Sequence, residues 1–243
     1  MEAMTSASDT TEPPTDPDLT DPAPTTILVV RHAEVDNPQR VLYGRLPNFA
    51  LSTYGEQQAE RTAAFLADRP ITAIYSSPLL RARQTAAAIA RHHPAALRRV
   101  SSLLHEVGSA WQGTPFASFK AGFSTYDDRR EPGDESLADV QGRMVAFVER
   151  ARRRHAGECI ACVSHGDPIT ILRVTLSGRD LTLPAIRGAD YAGLGSVTEV
   201  TFHPGEERPQ VTYLTVPWTQ PTRIADCGLR NQDERTESAA SEG

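Results

Sequence analysis

Two histidines and two arginines stand at or just beyond the ends of short apolar runs in this 243-residue chain. Arg31 and His32 follow TILVV at 26–30, Ser76 and Ser77 close ITAIYSS at 71–77, and His165 follows CIACVS at 159–164. Arg81 lies just past the second run, in SSPLLRARQTA. An imidazole set between two guanidinium groups resists protonation, because a second cation beside them is costly. Neutral imidazole is a nucleophile, and a guanidinium grips two oxygens of an anion at once. His165 offers a further hydrogen bond to the same anion. These residue types suit phosphoryl transfer, in which charge spreads over the equatorial oxygens and catalysis is mainly positioning and charge stabilisation. That charge is met by a metal or by fixed cations; the chain has no P-loop signature, and it offers Arg31 and Arg81.

The elements that must position these groups are legible from the spacing of apolar residues. The β-branched runs at 26–30, 71–77 and 159–164 predict buried strands, with a weaker one over 97–104. Ser52 predicts a cap for a helix over 53–67, and further helices are expected at Leu79 to Ala90, 136–155 and 168–177. In the third of these, Leu137, Val140, Met144, Phe147 and Val148 recur at helical steps. VTEVTF at 197–202 and QVTYLTV at 210–216 predict a closing hairpin. Strands alternating with helices imply an α/β fold: three αβα layers around a mostly parallel sheet with helices on both faces. Ligands of such sheets bind beyond the C-terminal strand ends, where the three polar clusters fall.

The clusters also carry a resemblance. RHAE at 31–34, LSTYGEQQA at 51–59, SSPLLRARQTA at 76–86, LLHEVGSAWQG at 103–113 and VSHGDPI at 163–169 resemble the histidine phosphatase (phosphoglycerate mutase-like) superfamily, in family order. The resemblance implies a phosphomonoester hydrolase of the phosphatase branch, with His32 as nucleophile and a phosphohistidine intermediate. It also implies that Arg31, Arg81 and His165 bind phosphate. Glu106 corresponds to the acid that protonates the leaving oxygen and then activates water. That role needs a raised pKa, which the neighbouring Trp111 favours. No metal or cofactor is implied, and the expected partner is a small phosphomonoester rather than nucleic acid or membrane.

Two positions depart from the family pattern. Relatives place asparagine six residues after the nucleophile, where this chain has Pro38; Asn37, one residue earlier, is the substitute candidate for phosphate binding. The family's W-E-G reads Trp111-Gln112-Gly113, which keeps the shape and loses a charge. Five aromatics at 111–126 (Trp111, Phe116, Phe119, Phe123, Tyr126) are expected either to wall the pocket or to pack a short helix, with Lys120 among them. Asp167 sits where the 168–177 helix wants a cap, and Arg83 is expected on the surface, as are His92, His93, His105, His155 and His203 unless structural.

Three rival readings are separable. A zinc deaminase is suggested by His32-Ala33-Glu34 and Cys159-Ile160-Ala161-Cys162, but Glu158 replaces the proline that pattern requires. Cysteines three apart on a strand also face opposite ways. A phosphoglycerate mutase-type phosphotransferase needs a long insert between acid and second histidine, whereas Glu106 and His165 are only 59 residues apart. A non-catalytic phosphate-binding module would not need every catalytic residue type.

Composition separates the ends from the middle. Residues 1–25 hold six acids and no base, and residues 225–243 hold five acids and two arginines. With a net charge of −6 overall, residues between these ends carry −6 + 6 + 3 = +3. Both ends are expected to be disordered tails around one catalytic domain at 26–224. Three cysteines argue against a disulfide framework, and neither a signal peptide nor an apolar span is apparent. Cytoplasmic residence is the expectation.

Overall fold

Each apolar run becomes a strand of one six-stranded sheet in the computed structural model, which describes residues 22–120, 122–126, 131–188 and 190–217. The strands are β1 (Thr25–Arg31), β2 (Ile71–Ser76), β3 (Leu97–Val100), β4 (Cys159–Ser164), β5 (Val197–Phe202) and β6 (Gln210–Leu214). Their order is β3-β2-β4-β1-β5-β6. The first four run parallel, and β5 and β6 join antiparallel, as the closing hairpin requires. Helices α1 (Thr53–Phe65), α2 (Leu80–His92), α3 (Leu137–Arg154), α4 (Gly166–Leu176) and α5 (Leu183–Arg187) complete the fold. Of the tails expected at 1–25 and 225–243, residues 1–21 and all of 225–243 lie outside the described residues, while Thr25 belongs to β1. No helix of the described residues is long and apolar enough to cross a membrane.

The period-two alternation of β1 and β4 builds the layers. Leu28, Val30, Ala161 and Val163 face a core with Ala59 and Ala63 of α1 and Ala82 and Ile89 of α2. Ile27, Val29, Ile160 and Cys162 face the other core, with Met144 and Phe147 of α3 and Ile171 and Leu172 of α4. Cys159 and Cys162 thus belong to opposite cores, and burial pushes the Cys162 thiol well above its ordinary pKa.

Two boundaries differ from the sequence expectation. Strand β3 stops at Val100, and Ser102–Leu104 form a turn of 3-10 helix that buries Leu104. Helix α4 begins at Gly166, with His165 as its extended N-terminal flank, so Asp167 lies inside the first turn and is not the cap. Proline is tolerated throughout a first turn, where no N–H is needed, so Pro168 does not mark the helix start. Ser52 caps α1 as expected, accepting from Gly55 N at 2.9 Å. Gly55 is pressed on the loop after His32: a Cβ there would meet the Glu34 carbonyl oxygen at 2.0 Å. Gly55→Ala should therefore cost about 3 kcal/mol, despite alanine's higher helix propensity of about 1 kcal/mol. A denaturant midpoint at or above the parent's would refute that contact.

Candidate active site

Strands β2, β4 and β1 are neighbours, so their C-terminal ends meet in one place. Arg31 pairs with Ser164 across β1 and β4, and His32 N donates to Ser164 O at 3.0 Å. Arg81, from the first turn of α2, enters between them. The result is four large polar side chains with almost no exposed surface: Arg31 at 4%, His32 at 1%, Arg81 and His165 at 0%.

Hydrogen bonds fix the state of His32. Its Nδ1 is 2.7 Å from the Ala33 carbonyl oxygen, which can only accept, so Nδ1 carries the proton. Nε2 then holds the lone pair, and Arg81 Nε donates to it at 3.2 Å. Burial, then Arg81, then Arg31 hold the ring far below the usual imidazole pKa. His32 is a neutral base with its free nitrogen turned to the cations.

Arg81 is anchored from three sides. Its Nη2 donates to Gly44 O at 2.8 Å, and its guanidinium lies 4.7 Å from the Tyr43 ring centroid. Gly44 has φ +40°, a conformation costly for a side chain. Arg81 Nη1 is buried with no hydrogen-bond partner. A buried guanidinium N–H left over in this way is a ready donor to an anion. Arg31 donates to Ala192 O at 2.6 Å and lies over Tyr191, 5.2 Å from the ring centroid.

The second imidazole closes the group. His165 and His32 have ring centroids 5.1 Å apart, and His165 Nε2 is 2.8 Å from Ser77 Oγ. His165 Nδ1 is buried without a hydrogen bond and lies 3.8 Å from Glu106 Oε2. Burial first, then Arg81, lower its pKa too. Glu106 follows the 3-10 turn, and its carbonyl accepts from Arg45 Nε at 2.6 Å and Arg143 Nη2 at 3.3 Å. Glu135 binds both arginines and Gly108 N, tying three segments around the Glu106 loop. Burial, then the neighbouring Asp167, raises the Glu106 pKa, against an opposing pull from Arg81. A carboxyl whose pKa is raised in this way suits an acid–base role.

His32, Glu106 and His165 each offer a ligand atom within 4.8 Å of the others. The guanidinium on His32 Nε2 makes that donor set a poor home for a dication and a good one for an oxyanion.

Asn37 is not drawn into the group: its amide donates to Val41 O at 2.9 Å and accepts from Val41 N at 3.2 Å, closing its own loop. Gln112 likewise has a structural partner, accepting from Arg45 N. Arg83 is exposed, and His93 and His155 are buried with partners, as expected. Trp111, Phe119 and Phe123 form one ring cluster, with Phe119 and Phe123 stacked at 4.3 Å, while Lys120 is exposed. Sequence reasoning gave Ser77 no role of its own and missed Tyr191 and the position of His105. His105 is half-buried beside Arg45 and Arg143, which, after burial, bring its pKa down to about 4. Only the neighbouring motif residues could have signalled what Ser77 does; nothing in local spacing marks Tyr191.

An α/β sheet that gathers two neutral imidazoles, two buried guanidinium groups and a carboxyl of raised pKa beyond its strand ends defines the histidine phosphatase class. The chain belongs to the histidine phosphatase superfamily (branch 1), whose profile matches residues 27–215. It is 38% identical over 199 residues to an uncharacterised protein of Mycobacterium tuberculosis, covering 79% of this chain and 96% of that one. It is 30% identical to phosphoserine phosphatase 1 of Hydrogenobacter thermophilus, covering 78% and 92%. Among solved structures, a mycobacterial glucosyl-3-phosphoglycerate phosphatase superposes with a TM-score of 0.64 at 25% identity, covering 78% and 97%. Bacillus stearothermophilus YhfR shares the fold with a TM-score of 0.67, at 24% identity, over 78% of this chain and 96% of that one.

Proposed function

We propose that the chain hydrolyses small phosphomonoesters through a phosphohistidine on His32, with no step routed through a metal. The observation that carries this reading is Arg81, whose Nε meets His32 Nε2 while Nη1 is buried without a partner. A phosphate seated there takes hydrogen bonds from Arg31, Arg81 and His165, which place phosphorus before Nε2. The Nε2 lone pair attacks phosphorus, the ester P–O bond breaks, and Glu106 protonates the departing oxygen. The Glu106 carboxylate then takes a proton from water as that water attacks the phosphoimidazole, releasing phosphate and restoring both groups. The named phosphatases among the relatives support a hydrolase over a mutase, as does the short span from Glu106 to His165.

The test is phosphate release from a panel of phosphomonoesters, with and without EDTA, beside interconversion of 3- and 2-phosphoglycerate. Release unaffected by chelator and exceeding interconversion is expected. Turnover lost to EDTA, or interconversion dominating, overturns the reading.

A further inference from the structure

Asp167 stands two residues past His165 with an environment that helix capping does not explain. The Tyr126 hydroxyl donates to Asp167 Oδ2 at 2.7 Å, and the Tyr191 hydroxyl donates to Oδ1 at 2.7 Å. Tyr126 comes from the end of the aromatic segment, which Arg187 of α5 also holds through Phe123 O and Ser124 Oγ. Tyr191 packs on Gly166, where a Cβ would meet its hydroxyl at 2.2 Å, and Arg31 lies over its ring. Each carboxylate oxygen therefore has a donor on a separately anchored ring. Such a clamp holds a negative charge in one place.

We propose that Asp167 is a positioning residue for the proton donor: its clamped charge keeps the proton on Glu106 until the leaving oxygen takes it. This rests on the hydrolase reading above. The groups around Glu106 divide by sign. Arg81 and Arg31 favour its carboxylate, and Arg45 and Arg143 grip its carbonyl with Glu135 between them. His165, His32 and His105 are neutral. Asp167 is the opposing charge, and burial, then Asp167, raises the pKa of the Tyr126 hydroxyl, which stays a donor. The turn that carries Asp167 also carries His165, whose Nδ1 lies 3.8 Å from Glu106 Oε2; there the charge of Asp167 adds to burial in opposing the guanidinium groups that bind phosphate.

The experiment is the pH dependence of kcat/KM for Asp167→Asn, with an alkyl phosphate and with p-nitrophenyl phosphate. Asparagine can still accept from one tyrosine and donate to the other, so the clamp survives and the charge goes. The limb on the basic side reports the protonated acid in the free enzyme. Removing a like charge lowers the acid's pKa, so with the alkyl ester this limb should move about one pH unit lower. p-Nitrophenolate leaves without a proton, so its rate should change little. Asp167→Ser, which also removes the charge, should move the limb the same way, and Tyr126→Phe, which keeps it, should not. An unmoved limb in both charge-removing variants overturns the proposal, as does equal loss with both esters, which marks a merely structural role. Either result leaves His32 chemistry standing, since that is read from the phosphoenzyme.

Discussion

His32→Ala is expected to lower kcat by at least about 10³-fold, with the fold retained. The size follows from what remains. Arg31, Arg81 and His165 would still bind phosphate, but no other described side chain presents a lone pair to it with Arg81 alongside. Binding and charge stabilisation without the nucleophile leave only a residue of the rate. Rapid quench of the parent with radiolabelled substrate should show a transient, acid-labile label, and the variant none. A variant within about tenfold of the parent would remove His32 from the mechanism.

Arg81→Met should separate activity from stability. Losing a preorganised cation at the transferring group costs about 10²- to 10³-fold in rate. Stability is governed by two opposed terms. Relief from burying an uncompensated charge is worth about 1–4 kcal/mol, and stranding Gly44 O and His32 Nε2 costs about 1–3 kcal/mol each. The two stranded groups together outweigh the relief by roughly 1–2 kcal/mol, so the phosphate-free variant should melt only a few degrees below the parent while kcat/KM collapses. Inorganic phosphate should raise the parent's Tm, because it binds only the folded state, and should leave the variant's unchanged. A parent indifferent to phosphate, with a variant that melts far below it, would make the guanidinium a structural strut.

Much of this arrangement is legible in the order and spacing of the residues alone. Strands β1, β2 and β4 are apolar runs whose period and length admit little else, and the rule placing ligands at their C-terminal ends selects Arg31, His32 and His165 directly. Arg81 is marked by its place just past the second run, whereas Glu106 needs the family resemblance, because a carboxylate in a loop carries no periodic signal. Asn37 misleads: one residue of offset within a loop decides whether an amide reaches outward or folds onto its own backbone, here Val41. Asp167 misleads differently, since capping statistics describe a local need and its hydroxyl partners lie 41 and 24 residues away.

The carbonyl of Ala33 has a consequence for the lifetime of the proposed intermediate. By holding the Nδ1 proton, it makes the two ring nitrogens inequivalent, and only the tele isomer of phosphohistidine can form. With Nδ1 still protonated, that adduct is an imidazolium, whose P–N bond breaks to give a neutral ring. In the reaction proposed above, the backbone of one alanine would thereby keep the phosphorylated side chain short-lived, a relay for turnover rather than a store.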